Sequence, residues 1–355
     1  MSRDHLRIFW RLYELIGPAV MLVVVLGVFV IQLDGAQLEN FIGLANMRLV
    51  LAQAVVLIIC SVGMTLVLVS GGLDLSVGSS VALAGVCGAL SYQASGSIAL
   101  AALVCIAVSL ALGAANGALV VFGRLSPFIV TLGSLGIGRG LAKLIADDQR
   151  IALRHEETLP AVEAAVGATT PPAPETVTTW ETFFLRAEPL PDTLWSAIGL
   201  SPGVIIMLLV VILAVVVMRA AVFGRWIYAI GSNAEAARLC GVPIRRTTWL
   251  TYAIAGACFG LAGFLQMDFA ESGNPTDSEG FELQVIAAVV IGGASLAGGV
   301  GTIYGSVIGS LIIVVLNNGF TFMNISTSGQ QVAIGVVIIV AVAIDSLRRR
   351  MLRSS

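Results

Sequence analysis

This chain of 355 residues is poor in most of what a water-soluble domain displays. Only 11% of its residues are charged and 7% aromatic, while 57% are hydrophobic, which excludes an ordinary soluble globule. It has one lysine, Lys143, followed by Leu144, so no Gly-x-x-x-x-Gly-Lys-Ser/Thr loop is available to cradle nucleotide phosphates. Its two histidines, His5 and His155, fall near the N-terminus and in a polar loop, leaving no metal cluster or Ser–His arrangement inside the apolar sequence. A membrane-embedded enzyme is therefore disfavoured. Of the five cysteines, Cys60, Cys87, Cys105 and Cys258 lie in apolar runs and Cys240 in a basic loop; neither a disulfide framework nor a zinc spacing emerges. A broad basic field for nucleic acid is also missing.

What is present is apolar length. Ten runs long enough to approach a bilayer span cover roughly 16–33, 50–69, 75–94, 98–122, 126–146, 203–219, 248–267, 281–298, 303–323 and 330–346. The third, eighth and ninth are glycine-rich and least secure as simple crossings. The expected fold is all-α and polytopic, a single transmembrane unit over 1–355 with about ten helices. No small-residue cleavage site follows Gln32-Leu33-Asp34, so the first run reads as a retained helix.

Charge placement orients the chain. Ten alternating crossings that start inside put Arg3, Arg7, Arg11, Arg124, Arg219, Arg225, Arg238, Arg245, Arg246, Arg348, Arg349, Arg350 and Arg353 on one side. Arg48, Arg150, Arg154 and Arg186 fall on the other, and Arg139 and Lys143 within the fifth run. Such an asymmetry predicts cytoplasmic termini. It also predicts an extended outer loop at 147–202 and a basic inner loop at 219–247. The outer loop, with Pro171-Pro172-Ala-Pro174 and Trp180, Phe183, Phe184 and Trp195, reads as partner-docking surface or as linker packed on the membrane.

Between Arg48 and Arg124 the single ionisable acid or base is Asp74, inside Ser70-Gly-Gly-Leu-Asp-Leu-Ser-Val-Gly-Ser79. A carboxylate near membrane depth is expensive and marks a functional or structurally indispensable place. Its neighbours Gly71, Gly72, Ser76 and Gly78 predict a broken helix, tolerated only where protein or a water-filled cavity surrounds it. A related pattern, Gly292-Gly293-Ala-Ser295-Leu296-Ala-Gly298-Gly299, matches it with Gly71 over Gly292. Paired glycine-broken helices point to a transport pathway.

In the inner loop, Ser232 and Glu235 have the spacing of a capping box, and Gly241 and Pro243 supply a stop. They predict a helix of about two turns, too short to stand alone in water. It is either a connector on the membrane or a docking element. Ser126-Pro127 and Ser201-Pro202 mark two further helix starts.

Three segments together resemble the permease subunits of bacterial ABC importers for monosaccharides, the ribose-, galactose- and galactofuranose-type branch of the branched-chain amino acid/sugar permease superfamily. They are Gly63-Met-Thr-Leu-Val-Leu-Val-Ser-Gly-Gly-Leu-Asp-Leu-Ser-Val-Gly-Ser79, Gly231-Ser-Asn-Ala-Glu-Ala-Ala-Arg-Leu-Cys-Gly241, and Ala287-Ala-Val-Val-Ile-Gly-Gly-Ala-Ser-Leu-Ala-Gly-Gly-Val-Gly301 continuing to Leu316-Asn-Asn-Gly319. The resemblance runs from about Val50 to Asp345; the outer loop departs from it by being longer and more acidic.

The resemblance implies a vitamin-B12-importer-like (type II) permease in the bacterial inner membrane. Its implied partners are a second permease chain, a cytoplasmic ABC ATPase that carries the ATP and magnesium, and a periplasmic sugar-binding protein. Coupling to the ATPase would fall on Ser232, Asn233, Glu235, Ala236, Ala237 and Gly241. The gate motif would comprise Gly71, Gly72, Asp74, Ser76, Gly78, Gly292, Gly293, Ser295, Gly298 and Gly299. Asn116, Asn317 and Asn318 are candidates to line the path, or else hydrogen bonds between helices. The alternatives are an ion-gradient-driven transporter using Asp74, and the same architecture carrying a nucleoside or signalling furanoside.

Overall fold

The structure, a computed structural model, describes residues 3–153 and 201–354. The outer-loop reading therefore falls largely on 154–200, outside the described residues. In chain order the helices are α1 (Arg3–Gln32), α2 (Gly35–Ile42), α3 (Leu44–Val69), α4 (Val77–Ser95), α5 (Ile98–Val121) and α6 (Pro127–Ala146). After the break come α7 (Pro202–Ala220), α8 (Val222–Ser232), α9 (Ala234–Leu239), α10 (Ile244–Ala270), α11 (Phe281–Ile291), α12 (Ile303–Phe322) and α13 (Thr327–Ser354). Two short strands, β1 (Ile151–Ala152) and β2 (Ser272–Gly273), pair antiparallel. Pro127 and Pro202 open α6 and α7 as predicted, although Ser126 and Ser201 make no side-chain cap bond.

Each of the ten predicted runs holds a helix, but they are not ten equivalent crossings. Among the described residues, six helices are long and apolar enough to span a membrane: α3, α5, α6, α7, α10 and α12. The eighth run breaks at Gly292, leaving α11 with 11 residues, or about 17 Å against a hydrocarbon layer of about 30 Å. The inner loop also differs from the single isolated helix expected. Its longest element is α8, whose Gly224, Ile227 and Ile230 are buried against the bundle.

Helix α3 is apolar on every side and accordingly sits at the centre. It packs on α7, α10, α11 and α12. Two hydroxyl pairs stitch it to α12: Ser310 to Ser61 at 2.9 Å and Thr65 with Ser306 at 2.6 Å. Helices α5 and α10 approach through small residues. Gly113 faces Gly256, a Cβ on Gly256 would lie 3.1 Å from the Gly113 Cα and collide with the Ser109 carbonyl, and Gly260 abuts the Cys105 carbonyl. The outward faces of α5, α6 and α7 expose Leu103, Ile129, Leu144, Leu209 and Leu213, the surface of a protein whose solvent is lipid.

Gly256→Ala should therefore force α5 and α10 apart. The expected result is a loss of about 1–3 kcal/mol, read as a lowered unfolding temperature of the detergent-solubilised protein. An unchanged temperature would show that the helix pair yields without cost.

Candidate functional site

Two glycine turns organise the site. At the end of α3, Gly71 N–H donates to Leu68 O (2.9 Å) and Gly72 N–H to Val67 O (3.0 Å), with Gly71 at φ +85°. At the end of α11, Gly293 N–H donates to Val290 O (2.9 Å) and Ala294 N–H to Val289 O (3.1 Å), with Gly293 at φ +92°. The two turns thus share one hydrogen-bond pattern. Their register is one residue away from the match read in the sequence: Gly71 corresponds to Gly293, and Gly72 to Ala294. Only the left-handed position demands glycine by conformation. The other member of each pair is small because it is crowded. A Cβ on Gly72 would lie 2.6 Å from the Tyr252 hydroxyl, and one on Gly292 would strike the Gly305 backbone.

Asp74 lies between the first turn and α4 and is fully buried. Its Oδ1 accepts from Ser76 N–H (2.9 Å) and Ser76 Oγ (2.6 Å). Asn116 Nδ2 on α5 donates to Ser76 Oγ at 3.0 Å, and Ser134 Oγ on α6 donates to Asn116 Oδ1. The Leu73 carbonyl, freed by the broken helix, receives Tyr252 Oη of α10 (3.2 Å) and Thr131 Oγ1 of α6 (3.3 Å). Asp74 Oδ2 has no hydrogen-bond partner. One short segment thus ties together α4, α5, α6 and α10.

A second polar cluster was not singled out in the sequence, where its signal was a lone arginine inside an apolar run. Arg139 of α6 donates to the carbonyls of Pro275 (2.8 Å), Asp277 (2.6 Å) and Ser278 (3.3 Å), fixing segment 274–280 that leads into α11. Gly78 makes room for it: a Cβ there would lie 2.5 Å from Ser278 O and 2.6 Å from Glu282 Oε2.

Around the two turns three backbones meet. Gly299 N–H donates to Val69 O (2.9 Å), joining the loop after α11 to the end of α3. Gly231, in the last turn of α8, presses against the Val69 carbonyl and Gly299 N; Gly298 packs on Gly71. Ser295 shapes the loop, its N–H donating to Val300 O (2.9 Å) and its Oγ accepting from Ala297 N–H (3.2 Å).

The short helix α9 emerges directly from this junction, and two sequence readings of it are corrected. Ser232 is not its cap. That residue still belongs to α8, and the extended Asn233 (φ −162°) is the N-cap, its side chain accepting from Ala236 N–H at 3.0 Å. Glu235 is therefore one position too early to complete a capping box with the true cap. Ala237 does not face outward either; it is buried, while Glu235 and Ala236 are exposed. The stop is as predicted: Gly241 is left-handed (φ +79°), and Val242 N–H reaches back to Ala237 O at 3.0 Å. Leu239, overlooked in the sequence, is 85% exposed on this helix. A leucine in an otherwise polar and alanine-rich stretch was the available signal.

The three asparagines are not gathered at one place. Asn116 is buried in the Asp74 network. Asn318 pairs reciprocally with Asn46 of α3, at 2.9 and 3.0 Å. Asn317 Nδ2 donates to Gln284 Oε1 of α11 at 3.4 Å, and its Oδ1 is buried without a partner.

Comparison with known proteins is consistent along most of the chain. Residues 46–342 match the family model described as branched-chain amino acid transport system / permease component. The ribose import permease protein RbsC of Escherichia coli is 35% identical over 87% of this chain and 88% of its own length. The RbsC protein of Bacillus subtilis is 33% identical over 90% and 91%. The galactose/methyl galactoside import permease protein MglC of Salmonella typhimurium is 32% identical over 94% of each. No solved structure matches. With the family model and full-length relatives in agreement, this chain belongs to the branched-chain amino acid transport system / permease component family of membrane transport subunits.

Proposed function

We propose that this chain is the membrane-spanning subunit of an ATP-driven importer that moves a monosaccharide delivered by a periplasmic binding protein. The observation that carries the coupling is α9. It has six residues, too few to be stable alone, and holds Leu239 out in solvent beside Ala236. An ATPase groove that covers this face accounts for both features. The names of the relatives, ribose and galactose import permeases, support a sugar as cargo. The basic residues clustered at 219–247 and 348–353 support a cytoplasmic α9 and cytoplasmic termini in the inner membrane. A second permease chain completes a path whose polar wall draws on Asn317 and the glycine-broken segments. Asn116 and Asn318, already engaged between helices, support the bundle.

Asp74 holds the gate in place in this reading, ahead of touching sugar or an ion. Its enclosure by Ser76, and the four helices gathered around it, favour that role over an ion relay.

Uptake into proteoliposomes should require the partner ATPase and ATP; sugar accumulation without any ATPase subunit would overturn the reading in favour of an ion-driven transporter. In the same assay Leu239→Asp should weaken ATPase docking by about 2 kcal/mol, roughly thirtyfold, because an apolar anchor is lost. Undiminished ATPase binding would place the docking surface elsewhere.

Asp74→Asn retains an acceptor for Ser76 and should keep partial transport. Asp74→Leu leaves the Ser76 amide and hydroxyl unpaired, a cost of about 1–3 kcal/mol for each group, and should lower both assembly and transport. A Leu variant that assembles and stimulates its ATPase normally, yet passes no sugar, would move Asp74 into the substrate path.

A further inference from the structure

We infer that Gly231 and Tyr228 of α8 are the positioning residues through which a displacement of α9 reaches both glycine turns at once. This rests on the reading of α9 as the ATPase-docking helix. The geometry is a three-way backbone contact with no side chain between its members. Gly231 lies against the Val69 carbonyl at the end of α3 and the loop after α11, so closely that a Cβ added to it would collide with Val69 O and lie 2.5 Å from Gly299 N. Gly299 N–H is itself bonded to that same Val69 carbonyl at 2.9 Å. One carbonyl thus serves as the meeting point of the two turns and of α8. Ser232, the next residue, sits where a Cβ on Gly299 would lie 2.7 Å from its Oγ. From the preceding turn, Tyr228 Oη donates to Gly301 O at 2.7 Å, fastening α8 to the far end of the same loop.

Only Asn233, the N-cap, separates α8 from α9. Its N–H still donates to Ala229 O of α8 (3.1 Å), while its carbonyl accepts from Ala237 N–H of α9 (3.0 Å). That continuity makes the α8–α9 unit a lever, with Leu239 at the outer end and Gly231 at the inner one. Packed backbones in direct contact switch between discrete arrangements instead of deforming gradually. Movement of the lever therefore carries the α3–α4 turn and the α11–α12 turn together. The shared hydrogen-bond pattern of the two turns gives both the same hinge.

The test uses the assembled transporter with its ATPase and binding protein in lipid nanodiscs and proteoliposomes, comparing wild type, Gly231→Ala and Tyr228→Phe. Three quantities are read: ATPase binding, the ATP hydrolysis rate, and sugar imported per ATP hydrolysed. A Cβ at Gly231 wedges α8 away from both turns, so ATPase binding and hydrolysis should persist while import per ATP falls about fivefold or more. Tyr228→Phe, which removes one hydrogen bond and keeps the ring, is the variant that leaves folding intact, and should lower import per ATP by about fivefold. Unchanged import per ATP in Tyr228→Phe, with the ATPase bound, would overturn the relay while leaving α9 as the docking helix. Parallel losses of binding, hydrolysis and import would also overturn it, by reducing both residues to supports of the fold. Failure of the wild-type ATPase to engage α9, shown by an inert Leu239→Asp, is a different result and sinks the docking reading beneath it.

Discussion

A helix that ends within apolar surroundings must give its last carbonyls and next amides to something other than water. The ends of α3 and α11 meet that demand in the same way, and the rest of the site follows from it. Each turns back on a left-handed glycine, returning two amides to its own last turn. The carbonyl still free on α3, that of Val69, is taken by Gly299 of the loop that follows the other turn. The satisfaction of one broken helix is therefore supplied by the second. Separating the loop after α11 from the end of α3 in the membrane would leave the Val69 carbonyl and the Gly299 amide unpaired.

Past the first turn the same demand recruits side chains. The Leu73 carbonyl draws in Tyr252 and Thr131, and the Ser76 amide takes the Asp74 carboxylate. Tyr252 and Thr131 come from helices far apart in sequence, so the break in α3–α4 becomes a site of tertiary assembly. A buried carboxylate is costly there, but it fixes a single arrangement of α4, α5, α6 and α10. At segment 274–280 the roles reverse: the half-buried Arg139 is the charge and the loop supplies the carbonyls. In the proposed reading, transport is a matter of biasing these hinges from outside the membrane through α8–α9, which lies against both.

Much of this was legible in the sequence because it depends on local composition. Apolar runs located the helices, and the isolation of Asp74 among glycines and serines located the broken helix. Residues whose meaning depends on partners were harder to read. The double glycines aligned by identity one residue out of register, because sequence does not distinguish a glycine required by φ from one required by crowding. Ser232 looked like a cap until α8 was seen to extend through it, which handed the cap to Asn233. That Ala237 is buried and Leu239 exposed could not be read in advance, since a six-residue helix carries too few apolar positions to reveal which face is covered. Arg139 had no pattern of its own; its three carbonyl partners lie more than a hundred residues away. The glycines of the eighth run marked it as an insecure crossing, but composition alone did not show that its helix ends at Ile291.

The central claim, that the loop after α11 satisfies the last carbonyl of α3 inside the membrane and so couples the two glycine turns, is tested most directly by amide hydrogen exchange in lipid nanodiscs. The account predicts that Gly299 and the amides of Gly71, Gly72 and Ser76 exchange slowly. It further predicts that Asp74→Leu accelerates exchange in both turns, including Gly299, which Asp74 does not touch. Rapid exchange at Gly299 in the wild type, or acceleration confined to the 70–76 segment in the variant, would contradict it.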